Sequence, residues 1–178
     1  MHNISAAHMI KKQSIVRGCR LTIALLFLLL FGVLPSFSQT IPEPTPRTVC
    51  PVCGMFVAHY PNWVATVLYQ DGASHHFDGS KDLFTYILDM KKWAQGRDAE
   101  TIQSITVKEY YGLNRINAHA AFYVAGSGIL GPMGHELIPF ATLEDAETFM
   151  RDHRGKKIYR FTDIDKNILS TLKSGVFE

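Results

Sequence analysis

Apolar and polar positions alternate along this chain in two successive runs of the same order. Trp63–Tyr69 (WVATVLY) is β-branched and apolar, as strands are, and Gln70-Asp71-Gly72 follows as a tight turn. Ala73–Asp78 then reads as the returning strand of a hairpin. The period next changes to that of a helix: Leu83, Phe84, Ile87 and Leu88 share one face, with Asp78 or Ser80 placed to cap its start. Gln95-Gly96-Arg97-Asp98 breaks the pattern, and Ser104–Tyr110 (SITVKEY) reads as a strand. The second half repeats this order. His119–Val124 and Leu137–Phe140 are strand-like and are joined by a glycine-rich connection. Thr142-Leu143-Glu144-Asp145 has the spacing of a capping box, and it opens a helix whose apolar stripe is Leu143, Ala146, Phe149 and Met150. Gly155 stops that helix, Lys157–Phe161 alternates as a closing strand, and Asp163 and Asp165 signal one more helix start. The expectation is an α+β fold of two β-β-α-β modules, residues 49–112 and 113–178, each a small sheet covered by a helix.

The segment before these modules has a different character. Residues 11–20 are basic, Leu21–Leu34 is an almost unbroken apolar run, and small residues stand two apart at Ser36 and Ser38. This is the three-part pattern of an export signal over residues 1–38. The run of about 14 residues is short beside the roughly 20 of a comfortable membrane span, so a retained anchor is the competing reading. No lipidation pattern surrounds Cys19 or Cys50. Residues 39–48 (QTIPEPTPRT) hold three prolines within five positions and predict an extended linker.

Charge changes the picture once the leader is set aside. Of 18 Lys+Arg in 178 residues, Lys11, Lys12, Arg17 and Arg20 lie in the leader, which leaves 14 bases facing 16 acids. A body near −2 has no basic field for a polyphosphate backbone, which argues against nucleic acid as the main partner. With 11% aromatic and 19% charged residues, the composition also excludes disorder.

The candidate chemistry is concentrated in Cys50-Pro51-Val52-Cys53-Gly54-Met55. Two thiols three positions apart can converge on one ion, Gly54 permits the turn, and a thioether follows; such soft donors favour Cu(I) over hard cations. A zinc ribbon would need a second pair of ligands, and haem attachment would need His where Gly54 stands. A structural disulfide and a thiol–disulfide enzyme cycling Cys50 and Cys53 remain open. Met133, in Gly131-Pro132-Met133-Gly134-His135, is the second candidate, because a loop methionine flanked by glycines has no helix face to pack on. His135 or His59 could add an imidazole. His75 and His76 point to opposite faces of a strand, His75 toward the core with Phe77 and His76 outward with Asp78. The ligand set expected from softness and spacing is Cys50, Cys53 and Met55, completed by Met133 or a histidine. Both cysteines are expected near the surface, within reach of the Met133 loop. Gly126–Gly131 spells a dinucleotide-binding fingerprint but opens no helix, so it is set aside.

In their order, CPVCGM, Tyr60-Pro61-Asn62-Trp63, Phe77-Asp78-Gly79, Leu83-Phe84-Thr85-Tyr86, Ala121–Val124, Gly131–Gly134 and Ile138-Pro139-Phe140 resemble the NosL family, accessory proteins of nitrous oxide reductase. The resemblance runs from about Val49 to Ile164. It implies a periplasmic Cu(I) chaperone, not an enzyme, that serves the copper–sulfide centre of that reductase and whose partners are the reductase or its assembly proteins. It also implies a fold similar to one domain of organomercurial lyase. By position, Cys53 and Met55 match the family's Cys-Gly-Met and Met133 its Gly-Pro-Met-Gly. Cys50 and the missing lipidation signal depart from the pattern.

Overall fold

The computed structural model describes residues 40–177, so the expected export signal lies outside the described residues. Among the described residues seven strands form two antiparallel sheets. Ala65–Tyr69 (β1) and Ser74–Phe77 (β2) make the expected hairpin, with Ala65 opposite Phe77. Ser80–Ile87 (α1) and the short Met90–Trp93 (α2) follow. Ile102–Lys108 (β3) returns beside β1, and Arg115–Asn117 (β4) pairs with β3, which gives the order β2-β1-β3-β4. Phe122–Ala125 (β5) is the centre of the second sheet, between Ile138–Phe140 (β6) and Lys157–Arg160 (β7). Leu143–Asp152 (α3) connects β6 to β7, and Lys166–Ser174 (α4) ends the fold. The element order is therefore two β-β-α-β units with an extra strand, β4, between them. The sequence pattern did not anticipate β4, whose three residues are too short a run to alternate visibly.

The two halves are not independent. The described residues from Ile41 onward form one compact unit, and one buried cluster runs from Cys50, Val67 and Phe84 to Tyr123, Leu137 and Leu172. A smaller cluster under α3 holds Val124, Ile138, Phe140, Ala146 and Phe149. Leu143, expected on the buried stripe, is exposed at the first position of α3, where the helix has not yet reached the residues it buries, Ala146 and Phe149. The caps at Thr142 and Asp165 form as expected, each side chain accepting the N–H three residues on.

Two expectations near the first sheet are corrected. His76 is buried, bonded to Thr66 Oγ1 and Ser74 Oγ at 3.0 Å each, and Asp78 is buried too. Thr66 and Thr106, across the sheet on the same face, are buried as well, and Arg115 at its edge holds the linker, donating to Ile41 O at 3.2 Å and pairing with Glu43 at 2.7 Å. His75 does take the core side, against Tyr69 and Tyr86, with Tyr86 Oη 2.7 Å from its Nδ1.

The start of α1 is held from the other half of the chain. Gly79, not Asp78 or Ser80, is the N-cap, and no side chain of its own segment caps it. The Glu136 carboxylate does so instead, accepting from the Lys81 N–H and, at 2.8 Å, from the Leu137 N–H. A Cβ at position 79 would collide with Glu136 Oε2, so glycine is required here for close approach.

Candidate metal centre

The Cys50–Met55 segment folds into a closed turn before the first strand. Cys50 N–H donates to Met55 O and Gly54 N–H to Cys50 O, each at 2.9 Å, and Gly54 supplies a φ of +78°. An isolated bridge between Val49 and Phe56 closes the loop behind it. This geometry turns both thiols inward, toward the end of β2 and the first turn of α1. There Asp78, just before the N-cap of α1, and Asp82, in its first turn, both reach the thiols. Cys50 Sγ donates to Asp82 Oδ2 at 3.4 Å, and Cys53 Sγ to Asp78 Oδ1 at 3.2 Å. Ligand atoms of all four residues lie within 4.8 Å of one another. Both cysteines are free thiols.

Burial and like charge set the protonation of this cluster. Desolvation, reinforced by the carboxylates of Asp82 and Asp78, pushes the Cys50 thiol up to about 12, and the Cys53 thiol is raised by the same causes. Asp82 is raised by its burial, although the hydrogen bonds from the two thiols pull it back. Asp78 Oδ2 is buried with no hydrogen-bond partner among the described residues. A site that collects potential anions and leaves one buried oxygen unpartnered suits a cation, and its sulfurs, once deprotonated, would be soft donors.

The expected ligands divide among three settings. Cys53, Met133 and His135 line one surface cleft of about 570 Å³, together with Asp82 and Lys81. Met133 is 47% exposed there, and its loop is fixed from below: the Lys81 ammonium donates to Met133 O at 2.6 Å and to His135 O at 2.8 Å. Cys50 lies behind this wall at 2% exposure, contrary to the expectation of two cysteines near the surface. The reason is its place in the turn, which packs it into the main core, the buried cluster that also holds Val57 and Leu83. Met55 is half-buried beside the turn, and His59 is exposed and stacked near Phe56; neither lines the cleft. His135 packs against Phe177, with its Nδ1 buried and unpartnered.

The profile of the NosL family matches residues 41–169, most of the chain and all of this site. The chain belongs to the NosL family. The copper-binding lipoprotein NosL of Stutzerimonas stutzeri is 28% identical over 131 residues, which are 70% of this chain and 66% of that protein. The chain thus spans slightly less than two thirds of that relative's length. The crystal structure of the copper chaperone NosL from Shewanella denitrificans is similar at a TM-score of 0.59 and 25% identity, covering 75% of this chain and 99% of the other. The solution structure of apo-NosL from Achromobacter cycloclastes is 26% identical over 59% of this chain and 87% of its own, with a TM-score of 0.41. Within this NosL fold, sequence reasoning missed Asp78 and Asp82 as site residues. Their only signal was two acids four apart at a helix start beside a strand end, which reads equally as ordinary capping.

Proposed function

We propose that this protein is an exported Cu(I) chaperone of the periplasm that serves maturation of a copper enzyme, the copper–sulfide centre of nitrous oxide reductase. The observation that carries this reading is the pair of thiols gathered with two carboxylates at the wall of an open cleft that also holds Met133. Cys50 and Cys53 bind as thiolates, and the Met133 thioether reaches the metal from the other half of the chain. Thiolate and thioether are soft donors and select Cu(I). The carboxylates lie in hydrogen-bond contact with the sulfurs and are placed to accept the protons that the thiols release when the metal enters. Half-exposure of Cys53 and exposure of Met133 let an incoming donor displace one ligand at a time, as delivery requires. His135 is placed to complete the site, while Met55 and His59 stand outside the cleft. The names of the Stutzerimonas and Shewanella relatives support copper as the cargo and an exported setting. Among the described residues no helix is long and apolar enough to cross a membrane.

A redox enzyme is a poorer account of the same cysteines. The raised thiols are weak nucleophiles at neutral pH, and the motif precedes a strand of an antiparallel sheet instead of opening a helix in a βαβ unit. Titration of the reduced protein with Cu(I) against a chromophoric chelator tests the proposal. One equivalent should bind tightly, and affinity should fall by about a hundredfold or more in the Cys50→Ser, Cys53→Ser double variant. Unchanged affinity in that variant would rule the site out.

A further inference from the structure

The cleft that holds Cys53 and Met133 continues into a second depression of about 260 Å³, the two sharing Thr85, Lys92, Trp93 and Lys173. The combined groove runs between α1–α2 and α4 and ends at Lys166. Lys92, Lys166 and Lys173 are exposed along it, and no acid lies within 4 Å of their ammonium groups among the described residues. Lys92 Nζ lies 4.2 Å from the centre of the Trp93 ring. Asp89 is the one acid lining the second depression, and Asp82 is turned inward to Cys50. This concentration of cations is not an average property, since residues 39–178 carry 14 bases against 16 acids. An apolar centre at Met133 and Trp93 flanked by unpaired ammonium groups fits a particular counterpart.

We infer that this groove is the docking surface for a protein partner whose contact face is acidic and presents a soft donor side chain to the cleft. The inference rests on the chaperone reading and adds who approaches the metal and by which face. Charge of this sign steers encounter, raises the association rate and weakens with salt. Once docked, a thiolate of the partner forms a Cu–S bond as the Cu–S bond to Cys53 breaks. Copper stays Cu(I), the partner thiol gives its proton to solvent, and Cys53 takes one back.

The test uses the copper-free protein and two short fluorescein-labelled peptides that each contain one cysteine, the first rich in Asp and Glu, the second with those acids replaced by Lys. Anisotropy titrations at low salt should show the acidic peptide binding at least about tenfold tighter, with the preference shrinking as salt rises through about 0.15 M. Lys92→Glu, Lys166→Glu and Lys173→Glu together should remove the preference, and a Lys→Gln triple variant should reduce it. All three positions are exposed, so the substitutions leave the core untouched. Equal binding of both peptides, a preference that survives charge reversal, or displacement of the acidic peptide by phosphatidylglycerol vesicles would overturn the proposal. Because docking is read without metal, a failed Cu(I) titration with intact docking overturns the chaperone reading alone, and the reverse result overturns this one.

Discussion

Two thiols and two carboxylates whose ligand atoms lie within 4.8 Å of one another cannot all ionise in a largely desolvated pocket. Cys50 and Cys53 therefore rest as thiols that donate to Asp82 and Asp78. A cation that takes the sulfurs must displace their protons, so metal affinity is coupled to pH. The sign follows from the raised thiols: protonation competes with metal below the thiol pKa, and affinity rises with pH until that value is passed. Ordinary thiols would stop contributing near 9, whereas Cys50 lies at about 12 and Cys53 is also raised. Apparent Cu(I) affinity should therefore keep rising between about pH 9 and about pH 10, by up to tenfold for each proton displaced. A plateau that begins below about pH 9 in a chelator competition series would show thiols of ordinary acidity.

At the scale of elements, the site depends on how α1 is anchored. Its first turn carries Lys81 and Asp82, and its N-terminus is capped by Glu136 from the connection between β5 and β6. Gly79→Ala would drive a methyl group into the Glu136 carboxylate. This should cost about 1–3 kcal/mol, read as a lower melting temperature of the copper-free protein. An unchanged melting temperature would mean that the carboxylate moves aside freely. Glu136 has its own signature. Complete burial pushes it up to about 8, although Lys81 and the two N–H donors pull the other way. Because the folded value lies above the ordinary 4.5, its contribution to stability is fully present below about 4.5 and is lost as pH rises through about 8. Glu136→Gln keeps an acceptor for both N–H groups and cannot ionise. Its melting temperature should fall less than that of the unsubstituted protein between about pH 5 and about pH 9, and parallel curves would contradict the assignment.

For the molecule as a whole, local patterns foretold what local forces decide. The β1–β2 hairpin, the caps at Thr142 and Asp165 and the turn at Gly54 each depend on residues a few positions apart, and each appears as read. The candidate sulfur donors stand out in the sequence for a related reason: a cysteine pair before a glycine and a methionine between glycines have no packing role evident from their neighbours. Features set by long-range contact were not legible. Asp82 becomes a site residue because a turn 32 positions earlier points Cys50 at it, and Gly79 must be glycine because of a carboxylate 57 positions later. His76 is buried and bonded to Thr66 and Ser74, which no periodicity of its own strand records. Cys50 was misplaced for the same reason, since a short turn before a strand reads as surface until its packing partners are known. The same long-range packing brings Met133 of the second half to the cleft lined by Cys53 of the first.

That convergence is the central claim, and X-ray absorption at the copper edge measures it most directly. In the Cu(I)-loaded protein the first shell should be dominated by sulfur from Cys50, Cys53 and Met133, at an edge energy of monovalent copper. Met133→Leu should lose one sulfur and keep the other two, while Cys50→Ser with Cys53→Ser should lose the sulfur shell and the tight binding together. A first shell of oxygen and nitrogen in the unsubstituted protein, or one unchanged by Met133→Leu, would contradict a copper site shared by the two halves of the chain.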